Sequence, residues 1–109
     1  ENGGLFYYKG SSKLGLFNHI PEGNLGASMT IEKTEKFKNE IKKYKKIFID
    51  VYPGDCVIHD ALVVHGSNSN ISYKNRRAFN FSIASRDKIN KRKLKLYKNK
   101  LKKFLDNNK

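Results

Sequence analysis

Residues 54–77 read GDCVIHDALVVHGSNSNISYKNRR, and no other stretch restricts the fold of this chain as strongly. It opens on a Pro53-Gly54-Asp55 turn signal, because proline fixes φ and glycine tolerates a positive φ. The β-branched Val57, Ile58, Val63 and Val64 then favour extended backbone. Residues 56–59 are read as one strand, and residues 61–65 as another or as its continuation. On an unbroken strand His59 shares a face with Val57, Ala61, Val63 and His65; a bulge near Asp60 would change that. A polar loop rich in Ser and Asn follows, and Arg76-Arg77 opens a further β-rich run. The chain is therefore read as mainly β.

His65 closes the apolar run where the chain turns polar. A neutral imidazole at a strand end, facing a cavity, is a common metal ligand. Arg76 lies eleven residues later, and its planar fork suits a carboxylate held by two parallel hydrogen bonds. An imidazole on a metal and an arginine on a carboxylate are the two grips needed for Fe(II) and a dicarboxylate such as 2-oxoglutarate. In residues 78–85 (AFNFSIAS), Phe79, Phe81 and Ile83 alternate with Ala78, Asn80, Ser82 and Ala84, which predicts a last strand. Arg76 enters it on the small, polar face, with room for a small dicarboxylate; Arg77 enters on the aromatic face.

Gly54-Asp55, His65-Gly66-Ser67, Asn70, Ser72 and Arg76 together resemble the C-terminal signature of the phytanoyl-CoA dioxygenase family. Asn2-Gly3-Gly4-Leu5, Lys9-Gly10-Ser11-Ser12-Lys13-Leu14-Gly15 and His19 resemble an upstream segment of the same family, in the expected order. Two positions depart from that pattern: Lys9 stands where proline is usual and Ser12 where histidine is usual. The resemblance implies a double-stranded β-helix (jelly-roll, cupin-like) oxygenase with Fe(II) and 2-oxoglutarate as cofactors. O2 and a small organic or acyl molecule would be its partners in the reaction. It implies His65 as the distal iron ligand, Arg76 on the far carboxylate of 2-oxoglutarate, and Ser72 in support of that end. Lys13 would lie near the active-site mouth, where it meets an anionic substrate or stands as a solvated loop lysine.

A facial iron site takes two histidines and one carboxylate, commonly from a His-x-Asp/Glu step and a distant His. No such step occurs here: His59-Asp60 is adjacent, and His19 and Glu22 are three apart with Pro21 between them. In the family the missing step lies upstream. At 109 residues, about half of what such a domain needs, the chain reads as the C-terminal portion of its domain, without its N-terminal half and inactive alone. The remaining readings are a non-catalytic β-helix relative or fragment, and a basic binding module.

The net charge of +13 is dominated by lysine and reads as drift toward Lys, Asn and Ile, so no nucleic-acid partner is expected. There is no apolar run long enough to span a membrane and no signal-peptide pattern, and a cytoplasmic setting is the default. Cys56 is alone, which excludes an internal disulfide, and reads as a small strand residue. His59 reads as a hydrogen-bonded core histidine or as support for the iron site.

Elsewhere, residues 5–8 read as a short strand after an Asn-Gly-Gly turn, residues 46–52 alternate as a strand, residues 9–15 form a turn-rich loop, and residues 16–28 read as irregular. Phe37, Ile41 and Tyr44 have helical spacing within residues 34–46, which fits a short amphipathic helix or a lysine-rich excursion between strands. Leu94, Tyr97, Leu101 and Phe104 recur at steps of three and four, which predicts a basic amphipathic helix. Its apolar face is expected to pack on the parent domain. The expected division is residues 1–85 for the β-helix portion and 86–109 for the helical tail.

Overall fold

The computed structural model describes residues 2–22, 29–85 and 90–107. Two compact units emerge: Glu1–Phe17 with Lys33–Ala78, and Asn18–Glu32 with Phe79–Lys109. The first is built on a three-stranded antiparallel sheet of order β4-β1-β5, where β1 is Leu5–Tyr8, β4 is Lys46–Ile49 and β5 is His65–Ser67. The central strand β1 pairs Tyr7 with Ile47 on one side and with His65 on the other. Opposed residues of an antiparallel pair share a face. Leu5, Tyr7, Ile47, Ile49, His65 and Ser67 therefore line one face, and Phe6, Tyr8, Lys46, Phe48 and Gly66 the other.

Two glycines make this sheet possible. Gly3 has φ 77°, and a Cβ there would run into the Asn68 carbonyl oxygen. Gly66 lies opposite Phe6, and a Cβ on it would come within 2.8 Å of the ring. On that second face Phe6 meets Phe48 edge-on at 6.0 Å, and the Lys46 ammonium sits 3.8 Å from the centre of the Phe6 ring.

The helix α1, Glu35–Ile41, starts where Thr34 Oγ1 accepts the Phe37 N–H at 3.2 Å. Phe37 then packs against Phe17, with ring centres 5.1 Å apart, and Ile41 is buried. The loop expected over residues 9–15 tightens into a single 3-10 turn, Ser11–Leu14. The Pro53-Gly54 turn forms as expected: Asp55 N–H donates to the Tyr52 carbonyl, and Asp55 Oδ2 accepts from Tyr52 N–H.

In the second unit, β2 (His19–Pro21) pairs antiparallel with β3 (Met29–Ile31), and Asn18 Nδ2 donates to Glu32 Oε2 at 2.6 Å. This ladder falls partly in the stretch read as irregular; residues 23–28 lie outside the described residues. The C-terminal helix α2, Lys91–Asp106, appears where the apolar spacing predicts it and is capped by Asn90, whose Oδ1 accepts from Lys93 N–H. It packs against β2, and Lys100 Nζ donates to the His19 carbonyl at 2.6 Å. Residues 86–89, at the start of the expected tail, lie outside the described residues.

The described chain is thus two small antiparallel sheets with a C-terminal helix. Four expected strand stretches differ. The run over 78–85 forms no strand, and Phe79, Phe81 and Ile83 are almost wholly exposed. Alternation predicts which side chains would face together, but a strand also needs a neighbour for its N–H and C=O groups. Residues 56–59 likewise form no strand, and residues 61–65 do so only at His65, because a turn intervenes. Asp60 Oδ1 accepts Leu62 N–H at 2.6 Å and the Asp60 carbonyl accepts Val63 N–H at 3.1 Å, which closes that turn. The strand expected over 46–52 ends at Ile49.

Candidate functional site

Tyr7, His65 and Ser67 share one face of the three-stranded sheet. His65 Nδ1 lies 2.9 Å from the Val63 carbonyl oxygen. A carbonyl can only accept, so a hydrogen bond there has Nδ1 as its donor, and in the neutral ring that leaves Nε2 as the acceptor. The Tyr7 ring stacks on the imidazole, with centres 5.4 Å apart and planes 20° apart. Tyr7 is buried, and burial pushes its phenol above the ordinary value because the anion would lose its water.

His59 joins the same cluster through the Asp60 turn rather than along a continuous strand. Its Nδ1 lies 3.0 Å from the Asp60 carbonyl oxygen, its ring centre is 4.6 Å from that of His65, and it tilts against Tyr7 at 5.3 Å. It is exposed, not a core histidine. Behind the cluster Ser11 is fully buried, and its Oγ accepts the Val64 N–H at 2.8 Å. The Val64 carbonyl accepts Tyr8 N–H at 2.9 Å. Two sequence segments more than fifty positions apart are thus tied together at the residue before His65.

Arg76 reaches the same face. Its Nη2 donates to Ser67 Oγ at 3.0 Å. Ser67 is two residues along β5 from His65, so the two side chains leave the strand on the same side, about 7 Å apart. A guanidinium has five N–H donors, and among the described residues the contact with Ser67 engages Nη2, so a second edge remains for an anion. Among the described residues no carboxylate is paired with Arg76.

The loop between them is held by its own side chains. Asn70 Oδ1 accepts from Ser72 N–H and Ser72 Oγ–H, and Asn70 Nδ2 donates to the Lys74 carbonyl at 2.7 Å. Ser72 is thus part of the turn that leads to Arg76, while Ser67 is the hydroxyl that meets the guanidinium. Lys13 is exposed on the 3-10 turn two residues after Ser11. Arg77 is exposed as well.

The fold brings His65, Ser67 and Arg76 together and adds His59 and Tyr7. Ser67 was legible as part of the His65-Gly66-Ser67 triplet, whereas the part played by Tyr7 follows only from strand register. Chemically the face offers an imidazole lone pair, available to a metal or a proton, and a cationic fork for a carboxylate. No group of three or more His, Cys, Asp or Glu side chains that could hold a metal ion occurs among the described residues. No helix among them is long and apolar enough to cross a membrane.

No match is found among curated proteins or among solved structures. The sequence model of the phytanoyl-CoA dioxygenase (PhyH) family, however, matches residues 1–78. That span contains the whole of the face just described, from β1 to Arg76, and leaves only the last part of the chain outside it. With most of its length inside that match, the chain belongs to the phytanoyl-CoA dioxygenase family.

Proposed function

We propose that this chain supplies part of the active site of an Fe(II)- and 2-oxoglutarate-dependent dioxygenase, a hydroxylase of a small organic or acyl substrate, on a double-stranded β-helix. The observation that carries the reading is the common face of His65 and Arg76, held by the pairing of β1 with β5 and by the Arg76–Ser67 contact. His65 would bind the iron through Nε2, since Nδ1 is engaged by the Val63 carbonyl. Arg76 would take the far carboxylate of 2-oxoglutarate on its second edge, with Ser67 fixing the plane of the fork. Ser72 would support that end by stiffening the loop that presents Arg76. Lys13 would favour an anionic substrate group near the site.

The residues present fit one position of a facial triad, and the described residues supply no group of three or more His, Cys, Asp or Glu side chains to complete it. Bound iron would provide the redox chemistry that couples decarboxylation of the keto acid to oxidation of the substrate. The contribution of this chain is to orient His65, hold the co-substrate by its remote end, and keep Tyr7 as a neutral, apolar wall against the imidazole.

The test is 2-oxoglutarate binding and turnover in a protein that contains this sequence and the rest of its domain. Arg76→Ala should weaken 2-oxoglutarate by roughly ten- to 100-fold, the scale of losing a charge-assisted pair. His65→Ala should abolish iron-dependent succinate formation. Unchanged succinate formation in both variants would refute the assignment.

A further inference from the structure

We propose that His59 and His65 together form a two-imidazole site for a divalent transition-metal ion, with His59 as a ligand in its own right. The inference rests on the reading of His65 as a metal ligand and adds a second donor to it. Both Nδ1 atoms face backbone carbonyl oxygens, Asp60 for His59 and Val63 for His65. With Nδ1 as the donor to a carbonyl, each neutral ring presents Nε2 as the nitrogen for a ligand.

The spacing agrees with this. A metal–imidazole nitrogen bond of about 2.0–2.1 Å puts the ring centre about 3.2 Å from the ion. Two rings on one ion at angles of about 90–110° then lie about 4.5–5.2 Å apart, centre to centre. The observed separation is 4.6 Å, and the 51° between the planes is not that of a stacked pair. The Tyr7 ring contacts both imidazoles, at 5.3 and 5.4 Å, and limits their rotation. The Asp60 turn gives this arrangement its cause, because it returns residue 59 to the side of β5 that carries His65. Two exposed imidazoles with no thiolate favour zinc, nickel or copper over magnesium or calcium, with water completing the coordination.

Zinc(II) titrated calorimetrically into the 109-residue chain tests the site without any catalytic readout. His59→Ala and His65→Ala should each weaken binding by about tenfold or more. His59→Gln, which keeps bulk against Tyr7, should behave like His59→Ala, with circular dichroism showing that each variant keeps its fold. In nitrogen-detected NMR, zinc should shift Nε2 of His59 and of His65 and leave His19, which belongs to the other unit, in place. Wild-type affinity in both His59 variants would overturn the inference; loss of binding in His65→Ala alone would then leave His65 standing as a ligand. Wild-type affinity in His65→Ala as well would overturn both readings.

Discussion

Replacing Ser11 with alanine deletes one oxygen and deprives one backbone donor of its partner. Ser11 is completely inaccessible, and its Oγ is the acceptor for Val64 N–H at 2.8 Å. Val64 is itself buried, so water cannot take over the bond without opening the structure. A buried donor left unpaired costs about 1–3 kcal/mol, more than the net worth of a typical exposed hydrogen bond. For a chain of 109 residues total stability is about 5–15 kcal/mol, and Tyr7, Ile41 and Val64 are the buried hydrophobic residues among those described. The loss is therefore a substantial fraction of the whole. Urea unfolding of Ser11→Ala should show a lowered midpoint at unchanged slope, with the midpoint shift times the slope equal to that amount. Amide exchange at Val64 should accelerate by roughly five- to 150-fold, the same energy expressed as an equilibrium constant. Ser69→Ala, at an exposed position of the later loop, should stay within about 0.5 kcal/mol of the parent. A Ser11→Ala chain as stable as Ser69→Ala would refute the role given to this hydroxyl.

Three further outcomes follow from the same geometry. Gly66→Ala should destabilise by about 1–3 kcal/mol through its collision with the Phe6 ring, and Phe6→Leu should recover part of the loss in a double-mutant cycle read by thermal unfolding. Asn90→Ala should cost about 1 kcal/mol by removing the acceptor for Lys93 N–H, visible as reduced helical circular dichroism with near-ultraviolet signals of the first unit unchanged. Because burial raises the Tyr7 pKa above its ordinary 10.0, its neutral form favours the folded state. That contribution is complete below pH 10.0 and is lost as pH rises through the higher folded value, so alkaline titration should show tyrosinate absorbance of Tyr7 appearing last and together with unfolding.

Much of the local structure was legible. Leu5–Tyr8 announces itself by its apolar run after Asn-Gly-Gly, and the two helices by apolar steps of three and four. The pairing of His19–Pro21 with Met29–Ile31 was not, because each strand is three residues long and Pro21 argues against a ladder. Periodicity also misled at residues 56–65, where Asp60 offers its side chain to Leu62 N–H and the chain turns. In the candidate site, His65 and Arg76 were recognisable from residue type and spacing. The Ser67 contact was not, since it depends on how the loop after β5 folds back, nor was the Tyr7 stack, since it depends on which strand lies beside β5.

The unpaired run after Arg76 has a consequence for how the chain behaves in bulk. Phe79, Phe81 and Ile83 stand 93%, 87% and 99% exposed on alternate positions, a hydrophobic comb with no backbone ladder of its own. Between two copies such combs attract at short range. The net charge of +13 opposes that approach at longer range. Added salt shortens the repulsion from about 10 Å at 0.1 M to about 3 Å at 1 M while leaving the apolar attraction intact. The colloidal state of this protein is accordingly governed by ionic strength: lysines disperse it in dilute buffer, and screening those lysines lets the combs find one another.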